Sequence, residues 1–295
     1  MEGLLPKGGG PSLFVLVGMA FVLACLFSLA TPHCGPPGCA CNYPGVHHEV
    51  GIIVSVQTAV VVGVGSSAGL GAALARRFAK EGLRVIVAGR TSARVTTVAS
   101  EIRDAGGSVE AVVADVTRET DVVSLLNEVG QKEPLDLVAY NVGNNAMIPT
   151  LEISEAQFET MWRQNALGGF LVGREAVRPM LPKGSGTILY TGATASLRAR
   201  PPFVAFASAK AALRAVAQGL AREFGPQGIH VAHVVIDGVI GGDYARSRFP
   251  DFVAAKGKDG LLAPDDIADA YWALHRQPRS AWTHELDLRP FREPF

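Results

Sequence analysis

From residue 58 onward, short apolar runs rich in β-branched residues alternate with longer stretches whose apolar positions recur every three or four residues. The runs are AVVVGV, RVIVAG, VEAVVAD, LDLVAYN, TILYTG and IHVAHVVI, and a last strand is expected at HELDLRP. Between them lie LGAALARRFAKEG, ARVTTVASEIRDAG and DVVSLLNEVG, then helical stretches at about 155–181 and 204–224 and another from near Pro264. A strand covered by helices on both faces reads as a continuous apolar run, whereas a helix covered on one side shows spaced apolar positions. The alternation predicts an α/β fold of Rossmann type, a doubly wound parallel sheet of about seven strands in a single domain. That domain is expected over residues 56–295, and no internal repeat of short period interrupts it.

The first 55 residues follow a different pattern. From Gly8 to His48 there is no Asp, Glu, Lys or Arg, and Leu13 to Ala30 is an almost unbroken apolar run of 18 residues. Residues 1–31 read as a signal anchor or a cleaved signal peptide. The run's length favours the anchor, while Ser28-Leu29-Ala30 supplies a small-x-small cleavage site. Residues 32–55, with Pro32, Pro36, Pro37 and Pro44, read as a linker. The expected location is therefore a membrane or the secretory route, with the domain beyond the linker itself soluble.

Charge and cysteine content narrow the chemistry. The 27 basic side chains balance 27 acidic ones and form no long basic block, which leaves nucleic acid without an electrostatic footing. All four cysteines, Cys25, Cys34, Cys39 and Cys41, precede the main domain. Their spacing matches no paired zinc pattern, so no metal is expected, and a disulfide is the better reading if the linker faces an oxidising lumen.

The first strand runs into VGVGSSAGLGAALARRFA, where two glycine registers can be drawn, Gly63-x-Gly65-x-x-Ala68 and Gly65-x-x-x-Gly69-x-Gly71. A glycine loop between strand and helix lets backbone approach a pyrophosphate, and the helix start offers it free N–H groups. Gly65, Ser67, Gly69, Leu70 and Gly71 are the candidate cofactor contacts. The second strand ends in Gly89-Arg90, where an NAD site would place an acid; an arginine suits the extra phosphate of NADP, so NAD is the less favoured cofactor.

The second register and its flanking helix resemble the short-chain dehydrogenase/reductase family, and the resemblance extends from about residue 58 to the C-terminus. Asp115 and Val116 resemble the family's adenine-contacting segment, and Asn141 to Gly143 its Asn-Ala-Gly stretch. Asn165 falls where the family keeps an asparagine that kinks the fourth helix and holds a water. Lys210, in FASAKAALRAVAQGLAREFG, matches the active-site lysine. The resemblance also implies a small-molecule substrate and a homo-oligomer formed through the helices at 155–181 and 204–224.

Two departures matter. The family's catalytic tyrosine and serine are replaced by Phe206 and Ala193. Neither replacement exchanges a proton. Thr191, Thr194, Ser196, Ser208 and Tyr190 are nearby hydroxyls, with Thr194, next to the lost serine, the first candidate for a displaced donor. Asp237, in VVIDGVIGGD where the family has Pro-Gly, is a candidate base or a turn residue; His230 and His233 read as packed histidines. The residues thus point to an NADP-dependent oxidoreductase acting on a carbonyl/alcohol or an activated double bond, with Lys210, Asn165, Thr194 and Asp237 as its catalytic candidates. The alternative is a non-catalytic NADP-binding relative. The loops at about 144–152 and 238–262, the latter with Tyr244, Arg246 and Arg248, would cover a substrate or be ordinary surface.

Overall fold

The computed structural model describes residues 56–143 and 145–293, so the expected leader and linker lie outside the described residues. Seven strands form one parallel sheet: β1 (Thr58–Val62), β2 (Arg84–Gly89), β3 (Val109–Val113), β4 (Leu135–Tyr140), β5 (Gly186–Thr191), β6 (Ile229–Ile236) and β7 (Glu285–Leu288). Their spatial order is β3-β2-β1-β4-β5-β6-β7. The order reverses between β1 and β4, and a parallel sheet binds ligands outside the carboxyl ends of its strands at that reversal.

Strand periodicity explains the two layers. Ala59 and Val61 of β1 pack into one apolar cluster, with helices α1 (Leu70–Lys80), α2 (Ser92–Asp104) and the late helix Pro264–His275. Val60 and Val62 point the other way, into a cluster with α3 (Glu119–Lys132) and the helices that follow β4 and β5. Successive side chains of a strand face opposite sides, so one all-apolar run serves both cores.

The expected helix at 155–181 is divided. α4 (Glu155–Trp162) gives way to a π-helical turn over Arg163–Leu167, and α5 (Gly168–Met180) continues from it. Ser154 and Gln157 close a reciprocal cap at the start of α4. The buried Asn165 lies in the π turn, its Nδ2 donating to Met161 O at 2.9 Å. The widened backbone is of the kind often found at functional sites. Two buried tyrosines fix the π turn and α5 over the sheet: Tyr140 donates to Gln164 O at 2.5 Å and Tyr190 to Gly169 O at 3.0 Å.

α6 (Val204–Phe224) is an alanine-rich helix whose buried side includes Ala205, Ala209, Lys210, Leu213 and Ala217. High helix propensity and small side chains let it lie close to β5 and β6. The 238–262 segment is not an irregular loop; it holds two short helices, α7 (Asp243–Arg248) and α8 (Pro250–Lys256), before α9 (Pro264–His275). Among the described residues no helix is long and apolar enough to cross a membrane.

Candidate active site

The glycine loop is built by contact as much as by freedom. Gly63 has φ +90°, and a Cβ there would sit 2.6 Å from Asn141 O, so only glycine fits where β1 turns past β4. A Cβ on Gly71 would meet Gly63 O at 2.9 Å, which lets α1 rise directly from the loop. The two registers read from the sequence therefore interlock: Gly63 makes the turn and Gly71 the close packing. Beside Gly65 a Cβ would meet nothing within 4 Å, which leaves open space over the loop. α1 begins at Gly69 with no side-chain cap and no acid in its first turn. Its first N–H groups and dipole end are thus available to an anion. Leu70 is buried beneath, while Ser67 Oγ donates to Glu101 Oε2 at 2.6 Å and is held to the loop's flank.

Arg90 is exposed at the end of β2. Asp115 caps its own turn, accepting from the Thr117 N–H at 3.0 Å and hydroxyl at 2.8 Å. Burial works to raise its pKa, but these bonds and the Arg90 and Arg118 charges together hold the carboxyl below its usual value. Val116 is buried against Gly168 of α5. Asn141 reaches back to Gly63 O at 3.4 Å, tying the end of β4 to the loop after β1.

Lys210 is 3% exposed, and its ammonium donates to Thr191 O at 2.8 Å and Val142 O at 3.4 Å. The Phe206 ring lies one helical turn earlier, its centroid 5.8 Å from Nζ. Burial pushes the Lys210 pKa down to about 7, outweighing the carbonyls and ring face that favour the charged form. A Cβ on exposed Gly143 would lie 3.3 Å from Lys210 Nζ and 3.6 Å from Asn165 Oδ1, so the three converge. Asn165 Oδ1 is buried with no partner, an acceptor aimed into this meeting point.

The expected substitute groups are differently engaged. Thr194 Oγ1 donates to Asp237 Oδ1 at 2.5 Å rather than to its own backbone. Asp237 is buried at the end of β6 and pairs with Arg289 at 2.6 Å and Arg198 at 3.3 Å. It is an ion-paired anchor and not a turn cap. Arg289 lies 52 residues further along the chain, and no local pattern in the sequence links the two.

Tyr190 is directed to Gly169, Ser208 donates to Ala205 O, and Thr191 shares a 2.8 Å hydrogen bond with Tyr271. Ser196 Oγ, buried, accepts from the Ala193 N–H at 3.1 Å.

Both strand histidines are packed. His230 stacks on Trp282, and His233, bonded to Glu285, has its pKa driven down to about 4 by burial. The start of α7 lies over the glycine loop, where a Cβ on Gly242 would meet Ala68 O at 2.9 Å. A surface hollow of about 380 Å³ beside β3, lined by Arg84, Glu110, Asp121 and Lys132, contains none of these residues. Among the described residues no group of three or more His, Cys, Asp or Glu is placed to hold a metal.

A reversing parallel sheet with an uncapped helix start behind a tight glycine loop defines a dinucleotide-binding α/β protein of the Rossmann class. The chain belongs to the short-chain dehydrogenase family, whose model matches residues 57–251. It is 40% identical to a short-chain dehydrogenase from Rhodopseudomonas palustris, covering 80% of this chain and 99% of that one with a TM-score of 0.69. A putative NAD(P)-dependent gluconate 5-dehydrogenase from Beutenbergia cavernae, solved with bound NADP at low occupancy, is 27% identical over 79% of this chain and 95% of that one, at a TM-score of 0.71. Among sequence relatives, gluconate 5-dehydrogenase of Gluconobacter oxydans is 25% identical, covering 80% of this chain and 86% of that protein.

Proposed function

We propose that this protein is an NADP(H)-dependent oxidoreductase that moves a hydride between the nicotinamide and a carbonyl/alcohol pair or an activated double bond of a small molecule. The observation that carries this reading is the burial of the Lys210 ammonium beside the unpartnered Asn165 Oδ1 at the carboxyl ends of β4 and β5. Taking an ammonium and an amide oxygen out of water is costly, and nothing in the packing of the sheet requires either.

The residues fit a phosphorylated dinucleotide. Gly65, Ser67, Gly69, Leu70 and Gly71 would hold its pyrophosphate at the open start of α1, and Arg90 its additional phosphate. Asp115 and Val116 would flank the adenine, while Asn141, Gly143 and Lys210 would hold the nicotinamide ribose. Once bound, the cofactor supplies the hydride, and the protein's part is orientation. Asn165 and Lys210 set the polar side of the site, and Phe206 gives it an apolar wall. Thr194 and Asp237 act by position: their bond, with Arg198 and Arg289 on the same carboxylate, fixes the turn after β5 against the end of β6.

Support for NADP comes from Arg90 in this chain and from the NADP-containing Beutenbergia relative. Exposed Phe158, Trp162 and Phe170, all in the 155–181 stretch, support a homo-oligomer through that stretch and the helix at 204–224. Membrane attachment through residues 1–31 rests on their composition. The test is NADPH-dependent turnover of a panel of ketones, aldehydes and enones, with NADPH binding read by protein fluorescence. Binding with turnover of one class is the expected result; binding without turnover of any would favour the non-catalytic relative, and absence of binding would remove both readings.

A further inference from the structure

We infer that Lys210 is the proton donor of the reaction, taking the place of the phenol that Phe206 lacks. The inference rests on the oxidoreductase reading and adds to it the source of the proton.

The candidate hydroxyls near the site are already engaged. Thr194 donates to a carboxylate, Ser208 and Tyr190 donate to carbonyls, and Thr191 is paired with Tyr271; Ser196 Oγ accepts the Ala193 N–H and keeps its own proton, but a buried hydroxyl is a far weaker acid than an ammonium. Phe206 and Ala193 carry no exchangeable side-chain proton. Lys210 differs from all of these. Its ammonium has three protons: Thr191 O holds one at 2.8 Å, the ribose would take a second, and the third has only the long 3.4 Å contact to Val142 O, which a substrate oxygen can replace. A Cβ on exposed Gly143 would lie 3.3 Å from Nζ, so the missing side chain leaves space beside the buried ammonium on that side. On the same side is Asn165 Oδ1, an acceptor suited to hold the water through which the amine is recharged.

Few charges oppose or assist this group. Behind Lys210, His233 on β6 is kept neutral by burial, and its Nδ1 is turned to Glu285, which Arg214 of α6 also holds. α5 and the π turn contribute the uncharged Asn165, and α6 itself contributes the Phe206 ring. With the ammonium near neutrality in strength, protonated and free amine are both accessible at working pH, as an acid that must be recharged each turnover requires.

In carbonyl reduction the substrate carbon gains a C–H bond and two electrons from the reduced nicotinamide, which is oxidised. The former carbonyl oxygen takes the proton as the Lys210 N–H bond breaks, directly or across one water. The neutral amine then regains a proton from solvent.

Two measurements test this. Lysine Cε and Hε resonances of the protein without cofactor, assigned by comparison with Lys210→Arg, should show one lysine titrating near neutral pH; a Lys210 that stays charged beyond pH ~9 overturns the inference. Turnover of whichever substrate the panel identifies should fall as pH rises through the same midpoint. Lys210→Arg keeps the cation but cannot release its proton, so it should lose about a hundredfold in kcat and the pH-dependent limb together. Phe206→Tyr should move the limb, because a second acid enters.

Full activity in Lys210→Arg, an unchanged limb in Lys210→Met, or loss of the limb in Tyr244→Phe would assign the proton elsewhere while leaving the oxidoreductase reading intact. A wild type that binds NADPH but turns nothing over removes that reading, and the donor with it. Thermal melts of each variant separate these outcomes from misfolding.

Discussion

The Thr194 hydroxyl donates to Asp237 Oδ1 across 2.5 Å, joining the turn after β5 to the end of β6. Asp237 is buried and also receives Arg289 and Arg198, so its carboxylate is the hub on which this corner of the cleft is assembled. Arg198 is partly exposed, and its share is correspondingly screened by solvent. Asp237→Asn should cost about 3 kcal/mol in urea denaturation, since it removes the buried charge that Arg198 and Arg289 share, although Arg289 keeps its contact to Asp287. Thr194→Ala should cost about 1.5 kcal/mol, the value of one hydrogen bond to a charged acceptor. With Lys210 the proposed proton donor, the pH midpoint of turnover should be the same in Thr194→Ala as in wild type; a displaced midpoint would return Thr194 to the proton path.

Gly63 tests the loop without touching its charge. At φ +90° and with Asn141 O 2.6 Å from the site of a Cβ, alanine must shift either β1 or β4. Gly63→Ala is expected to destabilise the fold by more than about 2 kcal/mol and to abolish NADPH quenching of protein fluorescence. A variant with wild-type melting and binding would show that the turn relaxes freely.

Arg90 is the proposed cofactor discriminator. It is exposed, and its charge is felt by Asp115. Arg90→Ala should weaken NADPH binding about tenfold to a hundredfold, the worth of a charge-assisted bond to phosphate, while NADH binding changes little. Equal losses for both cofactors would show that the guanidinium does not read the additional phosphate.

The buried lysine leaves a signature in stability as well as in turnover. Its pKa in the fold is about 7, against ~10.4 in an unfolded chain, so between these values the unfolded state binds more protons and stability rises with pH. The penalty of burying the charge is therefore full below pH ~7 and is relieved as pH climbs toward ~10. Lys210→Met removes it: the variant should be more stable than wild type at neutral pH, with a flatter stability curve from pH ~7 to ~10. A destabilised variant with the wild-type slope would contradict the burial argument.

The apolar pattern alone determined the sheet. Each of the seven expected strands formed: the central ones are largely apolar because both faces are buried, while the outer β3 and β7 are only partly buried and carry Glu110, Glu285 and Asp287. The glycine loop was equally legible, since the turn at Gly63 and the packing at Gly71 each demand a glycine at a fixed spacing from the strand. So was the helical pitch that sets Lys210 one turn beyond Phe206. The helix expected over 155–181 formed in two parts, and the break falls at Asn165, where the family resemblance implied a kink that the apolar pattern did not. Its apolar periodicity is nearly blind to a single π turn, and the amide of Asn165 bonding to Met161 is what marks the break.

Tertiary structure decided what these groups are able to do. Thr194 and Asp237 are 43 residues apart, and no spacing rule foretells that one donates to the other or that Arg289 closes the set. The unpartnered oxygen of Asn165 and the burial of Lys210 beneath Gly143 likewise exist only once β4, β5, the π turn and α6 have been brought together. Sequence fixes which side chains are available and which face of an element they occupy. Desolvation and the commitment of each proton depend on neighbours distant in the chain, and those are set by packing.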